Sequence, residues 1–365
     1  MTSIEKFQAL LKLAVQHKAS DLHLKSRKNP VFRIDGHLKD VETSPFAPED
    51  LSAVVASIIP PQFRNNWETQ FQSDFSVVVD GAGRFRCNVF YQRGVPGMVL
   101  RHVKDKIPTF EEINLIPDGF KSICEMSNGI ALLCGVTGSG KSTTLAAMID
   151  YINTRQDKHI VTLEDPIEYT YKDKRSLINQ REVGIDVPSF QMGMKAAMRE
   201  DPDVILVGEM RDGDTFETAL RAAETGHLVF GTLHASSAQQ AIQRLFEFFP
   251  INARDSMQPQ VAASLRATIT QKLVPAVDGG RVPVMEFFMI DALGRQLIEA
   301  GEFDKIPKLI ESSESVHTTS FNKDLLRLVH AGTITKAEAM MASPNPKKLE
   351  MNLKGIFLSS GGIVD

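Results

Sequence analysis

The stretch Gly135-Val136-Thr137-Gly138-Ser139-Gly140-Lys141-Ser142 has the spacing GxxxxGK[ST], and no other feature restricts so strongly what this chain can fold into. Backbone N–H groups can close around an anion only where side chains leave room. Glycines at 135, 138 and 140 provide that room at the positive end of the helix that follows. The apolar run Gly129 to Cys134 precedes the loop and has strand length, and Thr143 to Ile152 follows with apolar residues at helical spacing. Strand, loop and helix therefore predict a phosphate-binding loop. Its candidate contacts are Gly135, Thr137, Gly138, Ser139, Gly140, Lys141, Ser142 and Thr143. Lys141 is expected to reach the β- and γ-phosphates, and the Ser142 hydroxyl to ligate Mg²⁺.

Three further apolar runs end in polar tips. His159 to Leu163 leads to Glu164-Asp165-Pro166-Ile167-Glu168, Val204 to Val207 to Gly208-Glu209-Met210-Arg211-Asp212, and Leu228 to Leu233 to His234. Ligands of a parallel α/β sheet lie beyond the C-terminal strand ends, so these tips are expected to meet the phosphate loop along one edge. Phosphoryl transfer needs an oriented water more than covalent chemistry. Glu209 is the candidate for orienting it, with glycine at 208 where many such loops carry an aspartate. Glu164 is a candidate to share the water or metal role. Asp165 and Glu168 read equally as site acids or as a turn and a solvated side chain. His234, at a strand end, is a candidate γ-phosphate or inter-element sensor.

Residues 1–103 read as a separate α+β module. Phe7, Leu10, Leu11, Ala14 and Val15 mark an opening helix, Asp35-Gly36 a hairpin turn, Pro48 to Ile59 a second helix ended by Pro60-Pro61, and Phe75 to Tyr91 a hairpin. In Arg84 to Val89, alternation places Phe85, Cys87 and Val89 on one face and Arg84 and Arg86 on the other. Arg93 and Arg101 extend a cluster of cations. Residues 104–109 are polar with a proline and predict a linker. Residues 110–290 form the nucleotide-binding core and 291–355 a mostly helical region, with a capping box at Thr335 to Glu338 and a break at Pro344-Asn345-Pro346. Residues 356–365 are expected to be a mobile tail.

Composition excludes several classes. Apolar residues are 42% of 365, without a run near the ~18 needed for a transmembrane helix, so a soluble cytoplasmic protein without a membrane span is expected. Cys87, Cys124 and Cys134 are too scattered for CxxC metal pairs and read as buried thiols. A net charge of -4 without a long basic run gives no footprint for nucleic acid.

In order along the chain stand Ser20-Asp21-Leu22-His23-Leu24, the loop Gly135 to Ser142, Leu163 to Tyr169, Arg199-Glu200-Asp201-Pro202-Asp203 through Asp212, and Gly226 to Ala235. Together they resemble the PilT/PilU retraction ATPases of type IV pili, in the secretion ATPase superfamily, over nearly the whole chain. The resemblance implies an α/β protein with a PAS-like α+β N-terminal domain, a RecA-like P-loop ATPase domain and a helical C-terminal extension. It also implies a homo-hexamer that hydrolyses ATP with Mg²⁺ on the cytoplasmic face of the inner membrane, at the pilus base. A pilus platform protein and a paralogous retraction ATPase are the implied partners. N-domain arginines of this family close over the nucleotide, and the matching positions here are Arg86 and Arg101, with Arg93 beside them. The family pattern Ala-Ile-Arg-Asn-Leu-Ile-Arg-Glu-Gly-Lys is replaced by a stretch carrying Glu299 and Glu302 at two cationic positions, and the histidine box continues Ala235-Ser236-Ser237. These departures favour a PilU-like or divergent PilT-like protein. An accessory ring that assists a paralogous motor, or a DNA-translocating secretion ATPase, are the alternative readings.

Overall fold

Helix α1 (Ser3–Gln16) forms where the apolar residues recur at helical spacing, and a capping box between Thr2 and Glu5 closes its start. Its inner face buries Phe7, Leu10, Leu11 and Ala14. The computed structural model describes residues 2–34, 36–103 and 106–356. Asp35 of the expected turn, Lys104 and Asp105 of the expected linker, and all of the expected tail except Ile356 lie outside the described residues. The chain divides into two compact units, one of Met1–Lys106 with Glu168–Thr170 and one of Ile107–Ile167 with Tyr171–Asp365.

In the first unit α1 is followed by β1 (Asp21–Lys25), β2 (Val31–Ile34), β3 (His37–Asp40), α2 (Pro48–Ile58), α3 (Pro61–Gln70), β4 (Gln72–Val79), β5 (Gly83–Gln92) and β6 (Val95–His102). The strands form a six-stranded sheet in the order β3-β2-β1-β6-β5-β4, antiparallel throughout. Alternation along β5 holds: Phe85, Cys87 and Val89 are buried while Arg86 is exposed. Pro60-Pro61 ends α2 as expected but also opens α3, because proline at the first helical position loses no hydrogen bond.

The second unit contains α4 (Pro117–Cys124), β7 (Gly129–Cys134), α5 (Lys141–Arg155), β8 (His159–Glu164), β9 (Leu177–Glu182), α6 (Phe190–Ala197), β10 (Val204–Val207), α7 (Gly213–Glu224), β11 (Leu228–Leu233), α8 (Ala238–Glu247), α9 (Ile251–Ser264), β12 (Leu265–Pro275) and β13 (Arg281–Met289). The seven-stranded sheet runs β13-β12-β7-β11-β10-β8-β9, and only the β12–β13 pair is antiparallel. Strands β7, β10 and β11 are buried along their whole length, as strands covered on both faces must be.

Short helices complete this unit: α10 (Ala292–Glu299), α11 (Ile306–Ser312), α12 (Phe321–His330), α13 (Lys336–Ala342) and α14 (Pro346–Leu353). At α13 the Thr335 side chain accepts from the Glu338 N–H at 3.1 Å. Pro344-Asn345-Pro346, expected as a break, is instead a start: Asn345 caps α14 and Pro346 takes its first position. Buried Asp324 on α12 accepts from the Met285 N–H of β13 at 2.9 Å and from Arg327, tying the helical end to the sheet edge. Among the described residues no helix is long and apolar enough to cross a membrane.

Candidate functional site

The phosphate loop begins where β7 ends. Gly135, Gly138 and Gly140 have φ of 145°, 78° and 92°, a region that side chains rarely adopt. A Cβ on Gly135 would meet both the Gln271 carbonyl and Ser139 Oγ at 2.5 Å, so this glycine is also required by space. Lys141 Nζ donates to the carbonyls of Gly135 at 2.7 Å and Val136 at 3.2 Å, folding back over the loop. The first turn of α5 presents N–H groups that no carbonyl of its own helix can meet. Ser139 Oγ is buried without a hydrogen-bond partner. This loop fits a chain of phosphates: it has an anion-facing helix end, an ammonium and an orphaned hydroxyl.

Parallel registry brings the other tips alongside. Val207 of β10 is level with Leu163 of β8 and Gly231 of β11, and Leu233 of β11 is level with Cys134 of β7. Glu164, Glu209 and His234 therefore emerge at the same edge as the loop. Glu164 is buried and accepts from the Thr162 hydroxyl at 2.7 Å and the Gln180 amide at 3.1 Å. Glu209 accepts from Arg211 at 2.6 Å and stands 3.4 Å from His234 Nε2. Burial alone would raise the Glu209 carboxyl. The Arg211 hydrogen bond and charge, with the charges of His234 and Lys141, outweigh it and hold the group below its ordinary value.

The histidine loop is held from behind. Arg244 donates to the His234 carbonyl at 2.8 Å, and Gln240 Oε1 accepts from the Ser236 N–H at 2.6 Å. Glu286 of β13 accepts from the Ala238 N–H at 2.7 Å, fixing the first turn of α8. Burial pushes the Glu286 carboxyl up, against that hydrogen bond and the Lys272 charge.

The hard oxygen donor that the loop offers a divalent cation is the Ser142 hydroxyl, in the first turn of α5. Among the described residues no cluster of His, Cys, Asp or Glu could hold a metal by itself. That donor set fits a cation arriving with the nucleotide, bound through Ser142 and phosphate oxygens.

Arg86 and Arg101 belong to the first unit, as facing residues of β5 and β6. The row continues to Asp21 on β1 and Arg33 on β2, and the Asp21 carboxylate lies between Arg101 and Arg33 across three strands. Arg101 Nε donates to Asp21 Oδ1 at 2.8 Å, and Arg33 Nε stands 3.7 Å from Oδ2. Like charges placed opposite each other repel, and the 4% exposed Asp21 offsets this. Arg93 occupies a positive-φ turn.

Gln271 belongs to this site although no motif marks it. Gln271 of β12 is 2% exposed, and its amide bridges the loop: Nε2 donates to the Ser139 carbonyl at 2.8 Å and Oε1 accepts from the Thr144 hydroxyl at 2.8 Å. The available signal was an amide inside a buried strand. Replacing Gln271 with leucine strands two buried polar groups, so nucleotide affinity is expected to fall about tenfold, as for a loss of ~1.4 kcal/mol. Titration with a fluorescent ATP analogue measures this, and an unchanged affinity would remove Gln271 from the site.

The sequence family described as Type II/IV secretion system protein matches residues 2–286. The chain is 36% identical to the type IV pilus ATPase PilU of Pseudomonas aeruginosa, over 96% of this chain and 91% of that one. It is 38% identical to the type IV pilus retraction ATPase PilT of the same organism, over 93% and 98% of the two chains. A crystal structure of the pilus retraction motor PilT with bound ADP superposes with a TM-score of 0.87 at 44% identity, covering 94% of this chain and 98% of that one.

Proposed function

The chain belongs to the type II/IV secretion system protein family, and we propose that it is a motor ATPase that hydrolyses ATP to power withdrawal of type IV pili. The observation that carries this reading is the convergence of the Lys141 loop, Glu164, Glu209 and His234 at the C-terminal ends of four neighbouring parallel strands. Similarity to PilT and PilU supplies the task. The expected fold class, an α/β protein with an α+β module ahead of a P-loop ATPase domain, is the one these relatives share.

In the reaction, the loop N–H groups and Lys141 hold the phosphates in line, and Glu209 orients the water that attacks the γ-phosphorus. His234, 3.4 Å from Glu209, is read as the group that responds to the γ-phosphate. Magnesium, when bound through Ser142, supplies neutralisation of phosphate charge. The working form is read as a ring of six copies in which Arg86 and Arg101 stabilise charge in the transition state. The ring is read as cytoplasmic, at the inner membrane of the pilus base, with a platform protein as partner.

The nearly equal similarity to PilU and PilT, together with Glu299 exposed on α10 and Glu302 paired with Lys305, favours one second reading. In it the ring assists a paralogous motor. Steady-state phosphate release with MgATP, with assembly state followed by light scattering, separates the two. Turnover by a hexamer supports an autonomous motor; a ring that binds ATP without turnover supports the accessory role. Binding of DNA in preference to turnover would overturn both.

A further inference from the structure

Glu209 and Arg211 leave β10 on a backbone pinned from both sides. The Gly208 N–H donates to the Leu163 carbonyl at 2.7 Å, the Thr232 hydroxyl to the Gly208 carbonyl at 2.5 Å, and the Met210 N–H to the Thr232 carbonyl at 3.0 Å. Between them the Met210 side chain is buried against Gly231, where a Cβ would collide with its methyl group. Alternate residues of an extended segment face the same way, so burying Met210 turns Glu209 and Arg211 out together.

The Arg211 guanidinium then meets two carboxylates. Its Nη2 donates to Glu209 Oε2 at 2.6 Å, and its Nη1 stands 3.5 Å from Asp165 Oδ2. An oxygen held this way has its lone pairs engaged and its charge offset, which makes it a poorer acceptor for a water proton. Among the described residues, the other titratable groups that act on Glu209 are His234 and Lys141. The Arg211 side chain is 55% exposed, and a cleft of about 490 Å³ lined by Asp165, Ser189, Gln191, Arg211, Asp212 and Phe248 lies beside it. The guanidinium can therefore exchange one carboxylate for the other by side-chain rotation while the backbone stays fixed.

We propose that Arg211 is a positioning residue that restrains Glu209 in the resting subunit and passes to Asp165 when Glu209 engages the attacking water. The inference rests on the reading of Glu209 as the group that orients that water. It assigns Asp165 a role as the alternative acceptor of Arg211.

The test is phosphate release by the full-length protein at saturating MgATP for the parent, Arg211→Gln, Asp165→Asn, the double variant and Glu209→Ala. Affinity for a fluorescent ATP analogue and assembly state are measured on the same samples. Arg211→Gln is expected to raise kcat about 3- to 10-fold with affinity unchanged, the scale of a half-exposed charge-assisted hydrogen bond. Asp165→Asn is expected to lower kcat, because the guanidinium loses its alternative partner, and the double variant to match Arg211→Gln. A merely structural arginine would lower turnover and affinity together. Unchanged or reduced kcat in Arg211→Gln, or an independent loss from Asp165→Asn on that background, overturns the proposal. If Arg211→Gln does not assemble, Arg211→Lys takes its place, with turnover above the parent as the supporting result and turnover at or below it as the overturning one. Glu209→Ala as active as the parent would sink the water-orienting reading itself, an outcome distinct from an inactive Glu209→Ala beside an unchanged Arg211→Gln.

Discussion

Lys141→Ala is expected to abolish tight ATP binding, weakening it by about 100-fold or more, equivalent to ~2.8 kcal/mol. The ammonium of Lys141 closes the loop on itself through the carbonyls of Gly135 and Val136. An arriving triphosphate offers it charged oxygens in their place, and a charge-assisted hydrogen bond is about twice as strong as a neutral one. Alanine removes both the loop closure and the counter-charge. Titration of the purified variant with a fluorescent ATP analogue measures the loss. Binding as tight as the parent's would mean that the phosphates lie elsewhere, and the assignment of the loop would fall with it.

Glu209→Ala is expected to behave in the opposite way, keeping nucleotide affinity while lowering kcat by about 10²- to 10⁴-fold, the range for loss of a positioned general base. Glu209 is 24% exposed just beyond β10 and touches His234 and Arg211, whereas the phosphate contacts are expected from the loop between β7 and α5, where Lys141 meets the Gly135 carbonyl. Removing the carboxylate leaves those loop contacts intact. Phosphate release and nucleotide titration on one preparation separate the two effects, and a variant that turns over like the parent would remove Glu209 from the chemistry. The pair of substitutions thus divides the site into a part that binds and a part that reacts.

Much of this site is legible in sequence because its parts are local. Gly135 to Ser142 encodes its own geometry: the glycines must adopt positive φ, and the helix must start immediately after them. The strands before Glu209 and His234 are continuous apolar runs, which is how strands buried on both faces read. The outward face of β5 is equally local, since alternation alone separates Arg86 from Phe85 and Cys87. Proline was the least reliable of the local signals. At Pro61 and Pro346 it opens a helix, and only the segment beyond each proline reveals which role it plays.

The sequence alone determined the phosphate loop, the elements carrying the candidate acids, and the face of β5 that holds Arg86, each set by residues within a few positions of one another. The tertiary structure decided which distant groups become partners. Gln271 reaches Thr144 across 127 positions, and Asp21 meets Arg101 across 80. Arg211 stands between Glu209 and Asp165 only because β8 and β10 are adjacent in the sheet. Periodicity and turn chemistry record what each residue asks of its near neighbours. The order in which strands lie side by side is set by packing the whole core, and no short stretch of chain contains that information.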